Sequence, residues 1–293
     1  MISPRDTETS LRSFCETHIS AAAKIGFIAL YKIKNSVWSE KILVIIEYLQ
    51  LISQNIKYYF DASSSQSYGS SLFFRAIVYF SQLIVPAYLL HFGSFNSVIP
   101  ALFSIICLLT IFKYLLCAYS WYIAFYDIKE NRCLNVAIRW IFRIQARLIC
   151  FYTTSFFTQL LLHLEDLPKN HILGINNSGI TVISLFFIII EYVASFIHLC
   201  YFNYRLPTKN FSSSKDFSLA FINLFQKLMG QILVLCLRKN LQGGIWVICS
   251  INIFFCLLRS FYFYRALPRY NFKALFFEGN FISIVNALTF SGL

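Results

Sequence analysis

The chain has 293 residues, enough for about two soluble domains at the usual ~100–200 residues each. Hydrophobic residues make up 58% and charged residues 13%, about half the charge of an ordinary soluble domain. So little charge cannot coat so much apolar surface, which excludes soluble domains, disorder, a collagen-like repeat and a disulfide scaffold as main readings. The net charge of +12 would suggest nucleic acid on a soluble domain. Here the bases stand mostly in short connections and at the ends of apolar stretches, as loop charge facing anionic headgroups does. The composition predicts an all-α, polytopic membrane helix bundle whose partner is the lipid bilayer, with no nucleic acid.

Residues 1–41 form a basic tail. Asp6, Glu8 and Glu16 interrupt its start, and Lys24 breaks the apolar run that follows, so it is not a signal peptide. Residues 19–31 read equally as a short amphipathic helix on the membrane surface or as an ordinary cytosolic helix.

A spanning helix needs about 20 mostly apolar residues, and seven stretches between residues 42 and 264 qualify. Residues 42–60 are the weakest, because Glu47, Gln50, Gln54, Asn55 and Lys57 interrupt them. Residues 72–92 contain Arg75 and Pro86. Residues 98–125 are long enough to tilt and hold Lys113 near the middle. Residues 140–163 carry Arg143 and Arg147 in their first half. Residues 180–201 are the cleanest, broken only by Glu191 and His198. Residues 219–237 include Gln226, Lys227 and Gln231, and residues 245–264 include Arg259. Residues 265–293 read as a turn followed by a last membrane segment that starts and stops. The 13 residues from Phe281 cannot span about 30 Å at 1.5 Å each, which suggests a truncated chain.

If all seven stretches cross, Lys and Arg divide evenly between the two sides. If one early stretch does not, most of them fall on the side of the N-terminus. The charge rule therefore favours six crossings with both ends cytoplasmic, and residues 42–60 are the obvious stretch to withdraw.

The nine cysteines are odd in number, lack a C-x-x-C pair and fall mostly in apolar runs, where Cys acts as a small hydrophobe. The five histidines form no H-x-x-x-H pair. No metal site and no cofactor is expected. Gly243-Gly244 reads as a turn, since no phosphate-cradling pattern accompanies it. No kinase, hydrolase or ATPase motif occurs, so no catalytic residue is assigned and the protein is expected not to be an enzyme.

Ionisable groups deep in a membrane segment are costly and are candidates for function. They are Glu47, Lys113, Arg147, Glu191 and Lys227. Glu191 lies in the middle of an apolar run and must be protonated or paired. Lys113 and Lys227 are natural partners for it. The set reads either as a proton or cation relay or as interhelical pairs that fix packing.

Two short motifs carry a family resemblance. One is the run from Lys41 to Ile52 after the basic tail. The other is Leu267-Pro-Arg-Tyr-Asn271 after an aromatic-rich segment. In this order and spacing they resemble the membrane region of the tiny macrocysts-type multi-pass proteins of amoebae and ciliates, which are often followed by a PAS sensor module. The resemblance implies a sensory or signalling membrane protein, would let residues 42–60 span after all, and implies no catalytic residues. Two functions are carried forward: a non-enzymatic sensory protein, with homo-oligomer or signalling partner left open, and a transporter or channel using Glu191 with Lys113 and Lys227.

Overall fold

In the computed structural model, the described residues are 16–18, 37–63, 80, 83–85, 98–126, 133, 136–138, 141, 144–166, 172, 174–202, 218–237, 241–266 and 272–291. The surface-helix candidate at 19–31 and nearly all of the stretch 72–92 lie outside them. Among the described residues the structure is all-helical. Seven long helices are labelled here α1 (Val37–Ser63), α2 (Ile99–Phe125), α3 (Cys150–Leu162), α4 (Asn177–Phe202), α5 (Ser218–Cys236), α6 (Leu241–Ala266) and α7 (Phe272–Ser291). A π-helical turn, Gln145–Ile149, leads into α3, and a 3-10 turn, Leu164–Asp166, leaves it. Four segments are long and apolar enough to cross a membrane: Ile99–Phe125, Asn177–Leu199, Ser218–Cys236 and Trp246–Ala266.

The chain divides into two units. The smaller comprises Met1–Lys34 and Ser104–Ile144, with most of α2 as its described part. There the His18 ring stacks on Trp121 at 5.5 Å and lies 4.9 Å from Phe125.

The larger unit comprises Asn35–Phe103 and Gln145–Leu293. Its side-chain pairs set the helix directions. Glu47 meets Asn223 and Gln50 meets Lys227, so α1 and α5 run parallel. Gln226 meets Asn252 and Asn223 meets Arg259, so α5 and α6 are antiparallel. Asn286 donates to Ser260 and Gly279 abuts the Phe263 ring, so α6 and α7 are antiparallel. Phe157 stacks on Phe187 at 5.2 Å, while Gln145 reaches Glu191, so α3 and α4 are antiparallel as well. Lys41 lies over the Phe277 ring and Tyr48 stacks on Phe281, which makes α1 and α7 parallel. One end of the unit therefore gathers the N-termini of α1, α3, α5 and α7 with the C-termini of α4 and α6. Lys41, Arg265 and Lys273 stand at that end, beside the exposed Trp38, Phe261, Tyr264 and Phe276. The core beside it joins Val44, Tyr48, Leu51 and Ile52 of α1 to Leu219, Phe263, Ile282 and Val285.

Residues 42–60 lie within α1, which runs along α5, and its 27 residues reach about 40 Å at 1.5 Å each. Its polar residues do not break it, because α5 and α6 supply their partners. Two readings change. First, the last helix begins at Phe272 rather than Phe281, and its 20 residues cover about 30 Å. Glu278 does not mark a boundary; it is buried inside α7. Second, Gly243-Gly244 is no turn. Both glycines lie in the first turn of α6, and a Cβ on Gly244 would come within 2.6 Å of a Leu237 methyl. The absent side chain lets α6 fold back tightly after α5.

Candidate functional site

The interior of the larger unit is lined by amides and charges. On α5, Asn223, Gln226, Lys227 and Gln231 are all buried. Their spacing of three, four and eight residues keeps them on one face of a helix. On α1, Glu47, Gln50 and Gln54 form a second buried stripe at spacings of three and seven. On α6, Asn252 and Arg259, seven apart, form a third. Three polar stripes converge because each is costly to bury alone and inexpensive once bonded to the others.

Asn223 is the central link. Its amide donates to Glu47 Oε1 at 3.0 Å, and its carbonyl oxygen accepts from Arg259 Nε at 2.9 Å. Arg259, with no exposed surface, also donates through Nη2 to Gln226 Oε1. Gln226 passes its own amide to Asn252 Oδ1 at 3.3 Å. The guanidinium lies 5.9 Å from the Tyr48 ring centre, within cation–π range. Glu47, Glu278 and Arg259 all act electrostatically on the Tyr48 hydroxyl, which places two carboxylates and one guanidinium around a single phenol.

One turn further along α5, Lys227 donates to Gln50 Oε1 at 2.8 Å and lies 5.1 Å from the Phe151 ring centre. Gln54 donates to the Lys227 carbonyl at 3.0 Å. Next along the face, the Gln231 amide reaches Thr154 Oγ1 at 3.1 Å and Ser155 Oγ at 3.2 Å, while its oxygen accepts from Tyr192 OH at 3.0 Å. The hydrogen-bonded groups thus follow α5 from Asn223 to Gln231, about 12 Å of helix axis, and engage α1, α3, α4 and α6.

A second cluster lies where the π-turn meets α4. Glu191, with no exposed surface, accepts from Gln145 Nε2 at 2.8 Å. The same nitrogen lies 3.4 Å from Ser195 Oγ. The other atom of that amide, Gln145 Oε1, is buried with no donor in reach, and so are Thr158 Oγ1 and Ser184 Oγ along the α3–α4 seam. π-turns of this kind occur often at functional sites.

The structure distributes the five ionisable candidates as follows. Glu47 and Lys227 belong to one polar lattice, joined through α1 and α5. Glu191 is held by Gln145 of the π-turn, a partner the spacing alone did not suggest. Lys113, buried, lies in the smaller unit with its ammonium 4.4 Å from the Tyr114 ring centre. Arg147 has its backbone in the π-turn, and its side chain lies outside the described ones. Sequence reasoning noted Gln226 and Arg259 only as interruptions of apolar stretches, and it passed over Asn223, Asn252 and Gln145. Their signal is present as polar residues at helical spacing inside apolar stretches.

Fold and interior together define a class: among the described residues an all-α protein with four helices long and apolar enough to span a membrane, whose larger unit holds a bonded polar lattice. No family model, curated protein or solved structure matches the chain.

Proposed function

We propose that this is an integral membrane protein of the non-enzymatic, sensory or signalling type, whose output is a rearrangement of the helices around the polar lattice. The observation that carries the reading is Arg259, fully buried and held by Asn223 and Gln226 of the neighbouring helix. Amides offer both a donor and an acceptor, so such a lattice has discrete alternative pairings. A packed core with two pairings switches between states rather than deforming smoothly. The basic end with Lys41, Arg265 and Lys273 faces the cytoplasm on the charge rule. The resemblance to tiny macrocysts-type proteins agrees with this reading.

A transporter or channel is the second reading, favoured by one observation: Glu191 is a fully buried carboxylate in mid-span beside a π-turn. Ion flux in proteoliposomes separates the two. The sensory reading expects no proton, sodium or potassium flux above protein-free vesicles. Flux that is present in the wild type and lost in Glu191→Gln establishes transport instead.

A further inference from the structure

We propose that Glu191 is a proton-binding site whose charge state is read by the Gln145 amide and passed to the π-turn. The inference goes beyond either functional reading, because it names the ligand and holds whether the bundle signals or transports.

The argument starts from the half-used amide. Gln145 Nε2 donates to the Glu191 carboxylate at 2.8 Å, whereas Gln145 Oε1 is buried without a donor. An amide turned by half a revolution about its last bond exchanges oxygen for nitrogen in nearly the same volume. In the ionised state the carboxylate needs a donor, and the nitrogen supplies it. When Glu191 takes up a proton, its new O–H is a donor and needs an acceptor. The half-turn presents Oε1 in the same place, and the Ser195 hydroxyl, now near the nitrogen at 3.4 Å, can donate to that oxygen as well. Each state leaves one end of the amide without a hydrogen bond, and protonation of Glu191 exchanges which end that is. The step is balanced: one proton passes from water to a Glu191 oxygen, and one N–H···O bond is exchanged for one O–H···O bond.

The surroundings suit a single titrating carboxylate. Neither α3, α5 nor the π-turn contributes an acid, and Glu191 is the one acid on α4. The other ionisable groups on these elements are Arg147 of the π-turn, Cys150 and Tyr152 of α3, and Lys227 and Cys236 of α5, with Tyr192, His198, Cys200 and Tyr201 on α4 itself. Gln145 is a positioning residue. Because it belongs to the π-turn, reorienting its amide acts on a backbone segment that already departs from regular α-helical bonding.

The test is an infrared pH titration of the protein in lipid nanodiscs. The expected result is a protonated-carboxyl carbonyl band that grows on acidification, is lost in Glu191→Gln and is retained in Glu47→Gln. In Gln145→Met the protonated carboxyl loses the amide oxygen that accepts its O–H, so its carbonyl band should move in frequency relative to the wild type. That variant retains Glu191 and serves if Glu191→Gln fails to fold. A band set that is unchanged in Glu191→Gln, or a carboxyl band whose frequency does not move in folded Gln145→Met, overturns the proposal. Neither result depends on whether the protein carries ions, so the site and the functional reading fail separately.

Discussion

Lys227 of α5 donates to Gln50 of α1 at 2.8 Å, although 177 residues of chain separate the two. Lys227 as a whole is 1% exposed, and its ammonium lies near the Phe151 ring. A buried cation held by a neutral amide tells against a lone charge stranded in lipid and for helices that dock in one register.

Removing the amide should therefore cost more than removing the charge. Gln50→Leu leaves Lys227 buried with one bond fewer and should destabilise the bundle by about 2 kcal/mol. Lys227→Met removes the charge together with its need and should cost less, or be neutral. Unfolding of both variants in detergent micelles checks the order. A larger loss in Lys227→Met would show that the ammonium itself holds the helices.

Asn223 gives and accepts at once, to Glu47 and from Arg259. Asn223→Leu breaks both bonds and should cost about 2–3 kcal/mol. Combined with Glu47→Gln the losses should fall short of additive, because the two residues share one bond. A double-mutant cycle on detergent unfolding measures the coupling. A coupling of zero would mean that the two side chains act independently.

Gly279 of α7 lies against the Phe263 ring of α6, where a Cβ would fall 3.0 Å from a ring carbon. Gly279→Leu should wedge α7 away and lower stability by about 1–3 kcal/mol. Shortening the ring in the double variant with Phe263→Ala should relieve the clash while leaving the cost of the lost ring. Proteolytic sensitivity of α7 in liposomes gives the readout, with cleavage rising in the single variant.

Helix direction is directly testable. Trp38 at the start of α1 and Lys273 at the start of α7 stand at one end of the larger unit, and Cys236 at the end of α5 stands at the other. Each is exposed. In a background lacking the other cysteines, Trp38→Cys and Lys273→Cys should react with an impermeant maleimide from the same side of sealed vesicles, and Cys236 from the opposite side. Reaction of Trp38→Cys and Cys236 from one side would contradict the parallel pairing of α1 with α5.

The helical class was legible from composition, because 58% hydrophobic residues with 13% charge admit little else. So were the cores of α2, α4, α5 and α6, where apolar runs meet the length a bilayer requires. Hydropathy scores Glu47, Gln50 and Gln54 of α1 and Glu278 of α7 as exposed to lipid, whereas all four are buried. Their cost depends on whether a partner stands opposite, and partners come from helices far along the chain. Gly244 was misread for a related reason, since glycine signals a turn unless a neighbour, here Leu237, crowds it from outside the local sequence.

By itself the sequence determined that the chain is helical, apolar, basic at its connections and dotted with costly polar groups. Only the tertiary structure decided which of those groups share a cluster: Glu47 with Asn223 and Arg259, Lys227 with Gln50, Glu191 with Gln145. The physical reason is that helical period and hydropathy are local, set within a few turns of chain. The satisfaction of a buried donor or acceptor depends on whatever atom packing brings within about 3 Å.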